Sequence, residues 1–241
     1  MIKHSQPQGK RQTQSREVVT DVPGQVAAHF HHTYREFDSF YHEKKNILSR
    51  IIDRIFRRSM RLRFEKVIEE VAPYEDTTVF DVGCGTGRYS IALALKGIKK
   101  ALGVDFAQNM IEEANRLTRQ FNVDHICRFV KADFMQMKIE ETFDHVFAMG
   151  VFDYIADPGP LVEKMLQCAG RKVMISFPTS GGIIQQLRRL KFEKIKKCPV
   201  FFYSAEDVKQ IARQAGAKQF TIEKMAKDYF LTIFLATEER Q

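Results

Sequence analysis

Apolar positions in the first third of the chain recur at helical spacing. Phe30, Tyr34, Phe37 and Tyr41 stand three and four residues apart. Ile47, Ile51, Ile52, Ile55 and Phe56 repeat the pattern, and Leu62, Phe64, Val67, Ile68 and Val71 continue it up to Pro73. That spacing puts one apolar stripe on a helix and predicts helical structure over 25–72, stopped by the proline. The rhythm changes at Thr77. Short β-branched runs at 77–82, 101–104, 127–131, 143–149 and 172–177 read as strands, and the amphipathic runs at 88–96, 107–120 and 160–169 between them read as helices. Strands alternating with helices imply crossover connections, hence a doubly wound, mostly parallel sheet with helices on both faces. After Phe177 the alternation breaks, and 178–203 is long enough to read as an insertion. A helix resumes over 204–215, with Ser204 as N-cap, Asp207 at its third position and Gly216 as stop. Two last runs, 219–225 and 229–236, are separated by three residues and read as an antiparallel hairpin, bringing the strand count to seven. The expected organisation is a disordered arm at 1–24, a helical N-terminal cap at 25–72 and one α/β domain at 73–241.

Composition narrows the class. The chain has 241 residues, 44% apolar and 28% charged, which suits a globular protein with a sizeable core. No apolar run approaches the ~20 residues that cross a bilayer, and no apolar stretch follows the basic residues of the opening segment. The expectation is therefore a protein with neither a transmembrane segment nor a secretory signal, placed in the cytoplasm. Cys84, Cys127, Cys168 and Cys198 form no C-x-x-C pair, so free thiols in a reducing compartment are expected and no metal site is. The net charge of +8 is uneven: +5 over 1–72, −2 over 73–182 and +5 over 183–241. An anionic partner would meet the flanks.

The segment that carries chemistry is Val79-Phe80-Asp81-Val82-Gly83-Cys84-Gly85-Thr86-Gly87-Arg88. An apolar strand runs into a glycine-rich turn that opens a helix, where an open α/β sheet binds its ligand. A dinucleotide site asks for G-x-G-x-x-G. Here the pattern is G-x-G-x-G followed by Arg88, and Asp81 at the strand tip would repel a pyrophosphate while suiting a cationic amino group. The next strand ends in Gly103-Val104-Asp105, where a carboxylate accepts from ribose hydroxyls. The third ends in Ala132-Asp133-Phe134, where an acid and a ring can flank an adenine. These features describe a ligand with an amino-acid head, a ribose and an adenine.

Asp81–Gly87, Gly103–Asp105, Ala132–Phe134 and Phe143–Gly150 resemble the successive motifs of class I S-adenosylmethionine-dependent methyltransferases. The resemblance covers 77–177 strongly and extends to the terminal hairpin. It implies a Rossmann-like, mostly parallel seven-stranded sheet and S-adenosyl-L-methionine as cofactor. It further implies that Asp81 and the turn Gly83, Cys84, Gly85 and Gly87 meet the methionine part, and that Asp105 holds the ribose with Phe106 beside the adenine. Asp133 would bond the adenine amino group with Phe134 on the ring, and Met149 and Gly150 would border the transferred methyl. The segment 30–41 resembles the aromatic lid helix of such enzymes, with Tyr34 or Tyr41 closing over the cofactor and Arg61 or Arg63 pairing with its carboxylate.

In-line alignment of an acceptor is the main task in such a transfer, and a base matters only if the acceptor must lose a proton. Asp153 and Tyr154, after the fourth strand, are the candidates to orient or deprotonate it, and His29, His31 and His32 are further ones. The fourth strand ends MGVFDYI, without the (Asn/Asp)-Pro-Pro-aromatic motif of amino methylation on nucleic-acid bases. A weaker likeness, through GVFDYI and ISFP, points to porphyrin-carboxylate O-methyltransferases. The stretch 187–197 holds six basic residues and one acid, interleaved with Leu187, Leu190, Phe192 and Ile195. It suits the roof of an anionic acceptor's pocket, with a membrane surface or a nucleic acid as less favoured contacts. The expected function is methyl transfer to a small molecule at oxygen. The alternatives are an RNA or other nucleic-acid methyltransferase using the basic flanks and a protein that holds the cofactor without turnover.

Overall fold

Val79 and Asp81 point to one side of their strand, Phe80 and Val82 to the other, and all four are buried. A strand buried on both sides must lie inside a sheet covered on two faces. In the computed structural model, which describes residues 47–180 and 199–235 (side chains from 58 onward), it does. Helix α1 is Ile47–Val71, followed by β1 (Thr78–Val82), α2 (Arg88–Ala94), β2 (Lys100–Asp105), α3 (Gln108–Gln120), β3 (Cys127–Lys131) and β4 (Phe143–Ala148). A 3-10 turn, Phe152–Tyr154, precedes α4 (Gly159–Gln167) and β5 (Ala169–Pro178). Then come α5 (Ala205–Gln214), β6 (Gln219–Met225) and β7 (Asp228–Phe234). The seven strands lie in the order β3-β2-β1-β4-β5-β7-β6. The first five are parallel, and β7 runs antiparallel to both β5 and β6. The expected doubly wound sheet with a terminal hairpin is thus present.

Each face has its own core. Phe80, Val82, Val104, Val146 and Ile175 pack with Leu161, Val162 and Met165 of α4 and Val208 and Ala212 of α5. On the opposite face Val79, Ala101, Phe147 and Met174 pack with residues of α1, α2 and α3. Val67 and Val71 of α1 are fully buried in this second core. The helix is also tied to the sheet by Lys66 with Glu223 of β6 at 2.9 Å and by Lys172 of β5 with Glu70 at 2.7 Å. The second half of the helix expected as a cap therefore packs directly on the α/β layers.

Boundaries shift for local reasons. Strand β5 begins at Ala169 rather than 172, because Phe143 pairs with Ala169 across a register irregularity that lengthens the β4–β5 ladder. The hairpin turn is shorter than expected, Ala226 and Lys227 only, with Ala226 at φ 49°. The capping box at α5 forms as read, with Ser204 and Asp207 each accepting from the other's backbone N–H. The arm 1–24, the first part of the cap and most of the insertion lie outside the described residues, as does the end of the chain.

The approach of β1, β2 and β3 on the α2 side is set by one ring. A Cβ built on Gly103 of β2 would stand 2.4 Å from Phe129 Cδ1 and 3.0 Å from Cys84 Cβ. Phe129 is buried, so its ring has little room to retreat. Gly103→Ala is expected to lower unfolding free energy by about 1–3 kcal/mol in urea titrations, the usual cost of overpacking. Much of that loss should return in a Phe129→Leu background.

Candidate functional site

The glycine turn after β1 is held from beneath by the neighbouring strand. Cys84 N–H donates to the Val104 carbonyl at 2.9 Å, and Gly85 N–H donates to Asp105 Oδ2 at 2.8 Å. Asp105 also accepts the Ala107 N–H on Oδ1 at 2.9 Å, which starts α3. One carboxylate therefore fixes both the turn and a helix start, and it keeps acceptor capacity for hydroxyl donors. Gly85 has φ 54°, and a Cβ there would meet nothing within 4 Å. The backbone is bare toward an open space, in a conformation that L side chains avoid. Gly83 differs: a Cβ would stand 2.3 Å from Val151 Cγ2, so the chain after β4 packs against it.

Asp81 lies at the tip of β1, 1% exposed, and its Oδ2 accepts from Ser90 Oγ of α2 at 2.9 Å. Burial pushes its carboxyl up to about 7, the hydroxyl of Ser90 opposes the shift and the nearby Asp105 adds to it. Asp105 is raised too, chiefly by burial, against the pull of its backbone donors. A buried acid beside a half-buried one, with no cation in ion-pair distance of Asp81 among the described residues, favours a ligand bearing positive charge and hydroxyl groups and disfavours a pyrophosphate.

The other expected residues divide. Phe106 is 36% exposed at the end of β2, beside this crevice. Met149 and Gly150 follow β4, and Gly150 has φ 81° with its N–H on Ser176 Oγ at 2.8 Å. Asp133 caps its own turn by accepting the Met135 N–H on Oδ1 at 2.8 Å. Phe134, expected against an adenine, is turned into the core under α4. Its ring meets Phe80 edge-on at 5.5 Å, and Lys164 Nζ lies over it. Cys84 and Gly87, read as cofactor contacts, are both buried on the packing side. Burial holds the Cys84 thiol well above its ordinary range, and a Cβ on Gly87 would stand 2.3 Å from the Phe129 ring. Of the two arginines, Arg61 faces solvent and pairs with Glu65 one turn on, whereas Arg63 lies beside Gly150.

Asp153 and Tyr154 sit on the 3-10 turn, 7% and 8% exposed. The Asp153 carbonyl accepts the Phe201 N–H at 2.9 Å, and Tyr203 donates its hydroxyl to the Ile155 carbonyl at 2.9 Å. The strap at 199–203, the last part of the insertion, is thus fastened to this turn. His29, His31, His32, Tyr34, Tyr41 and the basic stretch 187–197 lie outside the described residues. Sequence reasoning missed Ser90, Ser176 and Tyr89. A serine three residues into a helix after a glycine turn carries no signal until the fold brings it to Asp81. Tyr89 is held between Phe64 and Phe147, at centroid distances of 5.7 and 5.9 Å.

A family model described as a methyltransferase domain matches residues 74–223. The chain is 28% identical over 96 residues to the tRNA U34 carboxymethyltransferase of Actinobacillus succinogenes, covering 40% of this chain and 30% of that protein. It is 30% identical over 131 residues to the ribosomal protein L11 methyltransferase of Alkaliphilus oremlandii, covering 54% of this chain and 40% of that one. The chain thus matches less than half the length of these curated relatives. Among solved structures it is similar to magnesium protoporphyrin IX methyltransferase from Synechocystis PCC 6803 with bound SAH. The TM-score there is 0.71 at 18% identity, covering 90% of this chain and all of the other. Among the described residues no helix is long and apolar enough to cross a membrane.

The raised pKa of the Asp81 carboxyl has a consequence for stability. The folded chain keeps the Asp81 proton up to about pH 7, while the unfolded chain loses it near 3.8. Between those values the native state binds the extra proton, so this group's contribution to stability falls as pH rises and levels off above about 7. Asp81→Asn, which has no proton to lose, is expected to match the parent near pH 4 in urea titrations and to exceed it at pH 8 by on the order of 4 kcal/mol.

Proposed function

The chain belongs to the methyltransferase-domain family, and from that premise we propose that it transfers a methyl group from S-adenosylmethionine to an oxygen of a small anionic molecule. The observation that carries the cofactor part is the acid pair, buried Asp81 and half-buried Asp105, around the bare backbone of Gly85. In this reading Asp81 faces the ammonium of the amino-acid end, which relieves the cost of burying its charge. Asp105 accepts from the ribose hydroxyls while still bracing the turn. Phe106, exposed at the crevice, lies along the adenine, and Asp133 offers its remaining acceptor capacity to the adenine amino group. Gly83, Gly85 and their backbone line the methionine part. Cys84 and Gly87 serve the fit of the turn onto Phe129 rather than a direct contact, and Phe134 supports the adenine side from within the core.

When bound, the cofactor supplies a methyl carbon on a sulfonium, whose carbon–sulfur electron pair leaves on sulfur. The protein's part is alignment. Met149 and Gly150 follow β4 at the floor of the crevice, and Ser176 fixes Gly150 by holding its N–H. Asp153 and Tyr154, fastened by the strap at Phe201 and Tyr203, orient the acceptor. A carboxylate acceptor brings its own lone pair and needs no base, so orientation suffices. Two things support an anionic acceptor: the six basic residues at 187–197, which follow β5, and the end-to-end likeness to an enzyme acting on a magnesium protoporphyrin. The RNA and protein methyltransferases match over a shorter part of the chain.

Calorimetry is expected to show binding of S-adenosylhomocysteine and none of NADH. Asp105→Ala should weaken binding by about ten- to a hundredfold, the worth of a hydrogen bond to a charged group. Binding of NADH alone would overturn the cofactor reading. With methyl-labelled cofactor and candidate acids, label released by mild alkali as methanol would identify ester formation. Transfer to RNA instead, with salt-steep RNA binding, would refute the small-molecule acceptor.

A further inference from the structure

Four elements meet in one buried polar relay at the carboxyl end of the sheet. Ser176 Oγ of β5 accepts from Gly150 N–H at 2.8 Å and from Arg63 Nη1 of α1 at 3.2 Å. Arg63 Nε lies 3.5 Å from Asp228 Oδ2 at the start of β7, and Ser59 Oγ donates to the same carboxylate oxygen. Ser59 and Ser176 are 1% exposed, and the Arg63 and Asp228 side chains only 15% and 8%. Asp228 reaches this point because β7 pairs it with Pro178, at the far end of β5 from the loop that leads in from α4.

A guanidinium buried to this degree is costly unless it is paired. Its position is the informative part. Nη1 is 3.3 Å from where a Cβ on Gly150 would stand, so the positive charge borders the crevice at the tip of β4. Resting on the cofactor reading above, this is where the methyl-bearing sulfonium, itself a cation, would lie. An unneutralised guanidinium there would oppose it.

We propose that Asp228 is a positioning residue that holds Arg63 against Ser176 and Gly150 and cancels its charge, so that the crevice admits a cationic sulfonium. The residue acts through Arg63 and touches no ligand. Its negative charge therefore sets the preference between S-adenosylmethionine and S-adenosylhomocysteine, which differ by one methyl group and one positive charge. Groups common to the two ligands, the carboxylate included, cancel in that ratio. A loss of packing would weaken both ligands alike, whereas a change of charge moves only the ratio.

The experiment is calorimetric titration of the full chain with each ligand separately, at one pH and at low and high salt. In Asp228→Asn the sulfonium ligand should lose about ten- to a hundredfold more affinity than the thioether, the scale of one unit charge about 6–12 Å away at an effective permittivity of ~20. Salt should change that ratio little, because the pair is buried. Asp228→Glu should restore the parental ratio. Arg63→Met, which removes the cation instead, should move the ratio the other way, and it carries the test alone if Asp228→Asn does not fold. Equal losses for the two ligands in Asp228→Asn, or an unmoved ratio in Arg63→Met, would overturn the proposal while leaving the cofactor reading standing. A parent chain that binds neither ligand would overturn both.

Discussion

The arrangement turns on a carboxylate buried where no cation of the described chain meets it. Asp81 is forced inward by strand alternation, since Val79 on the same face belongs to the α1–α3 core. Ser90 gives it one hydrogen bond, which does not offset the loss of water. Asp105, one strand over, makes ionisation harder still while it braces the glycine turn. The fold accepts this cost at the place where an open α/β sheet receives its ligand. A cationic ligand relieves it, and the tightness of binding is coupled to what folding gives up.

The rest of the architecture places that acid pair. Phe129 gauges the distance between β2 and the turn, with Gly87 and Gly103 cut back to fit it. Helix α1 closes the same face through Val67 and Val71, with Lys66, Glu70, Lys172 and Glu223 holding it to the sheet. That helix also delivers Arg63 to the end of β4, so the segment before the sheet and the crevice share one polar network. On the opposite face Lys164 donates to the Met135 and Met137 carbonyls and steadies the loop that carries Asp133.

What was legible in the sequence follows from periodicity and local chemistry. The seven strands, the helices between them and the terminal hairpin could be read because each is short and strongly patterned, and several are bounded by glycine or proline. The acids at strand tips could be read because their spacing is set by the β–turn–α unit. Side-chain direction could not. Its sequence position suits Phe134 to a ligand's ring, whereas the tertiary packing of Phe80 and α4 claims it for the core. Arg61 and Arg63 are equivalent in a string of letters, and only the docking of α1 sends one to solvent beside Glu65 and the other to Ser176. Gly87 and Cys84 read as ligand contacts, yet a ring 42 residues downstream of Gly87 decides their place. The acceptor is harder again, because the basic stretch 187–197 speaks chiefly through its charge, and charge fixes a class of partner, not its shape.

Proton linkage is the most direct measure of the buried carboxylate's part. Titrating S-adenosylmethionine into the protein at pH 6, in buffers of differing ionisation enthalpy, counts the protons exchanged on binding. An Asp81 carboxyl poised near 7 in the free protein and ionised against the ligand's ammonium should release close to one proton. The same titration of Asp81→Asn should release none. Binding by the parent chain without proton release, or release that persists in Asp81→Asn, would contradict the central role given to this residue.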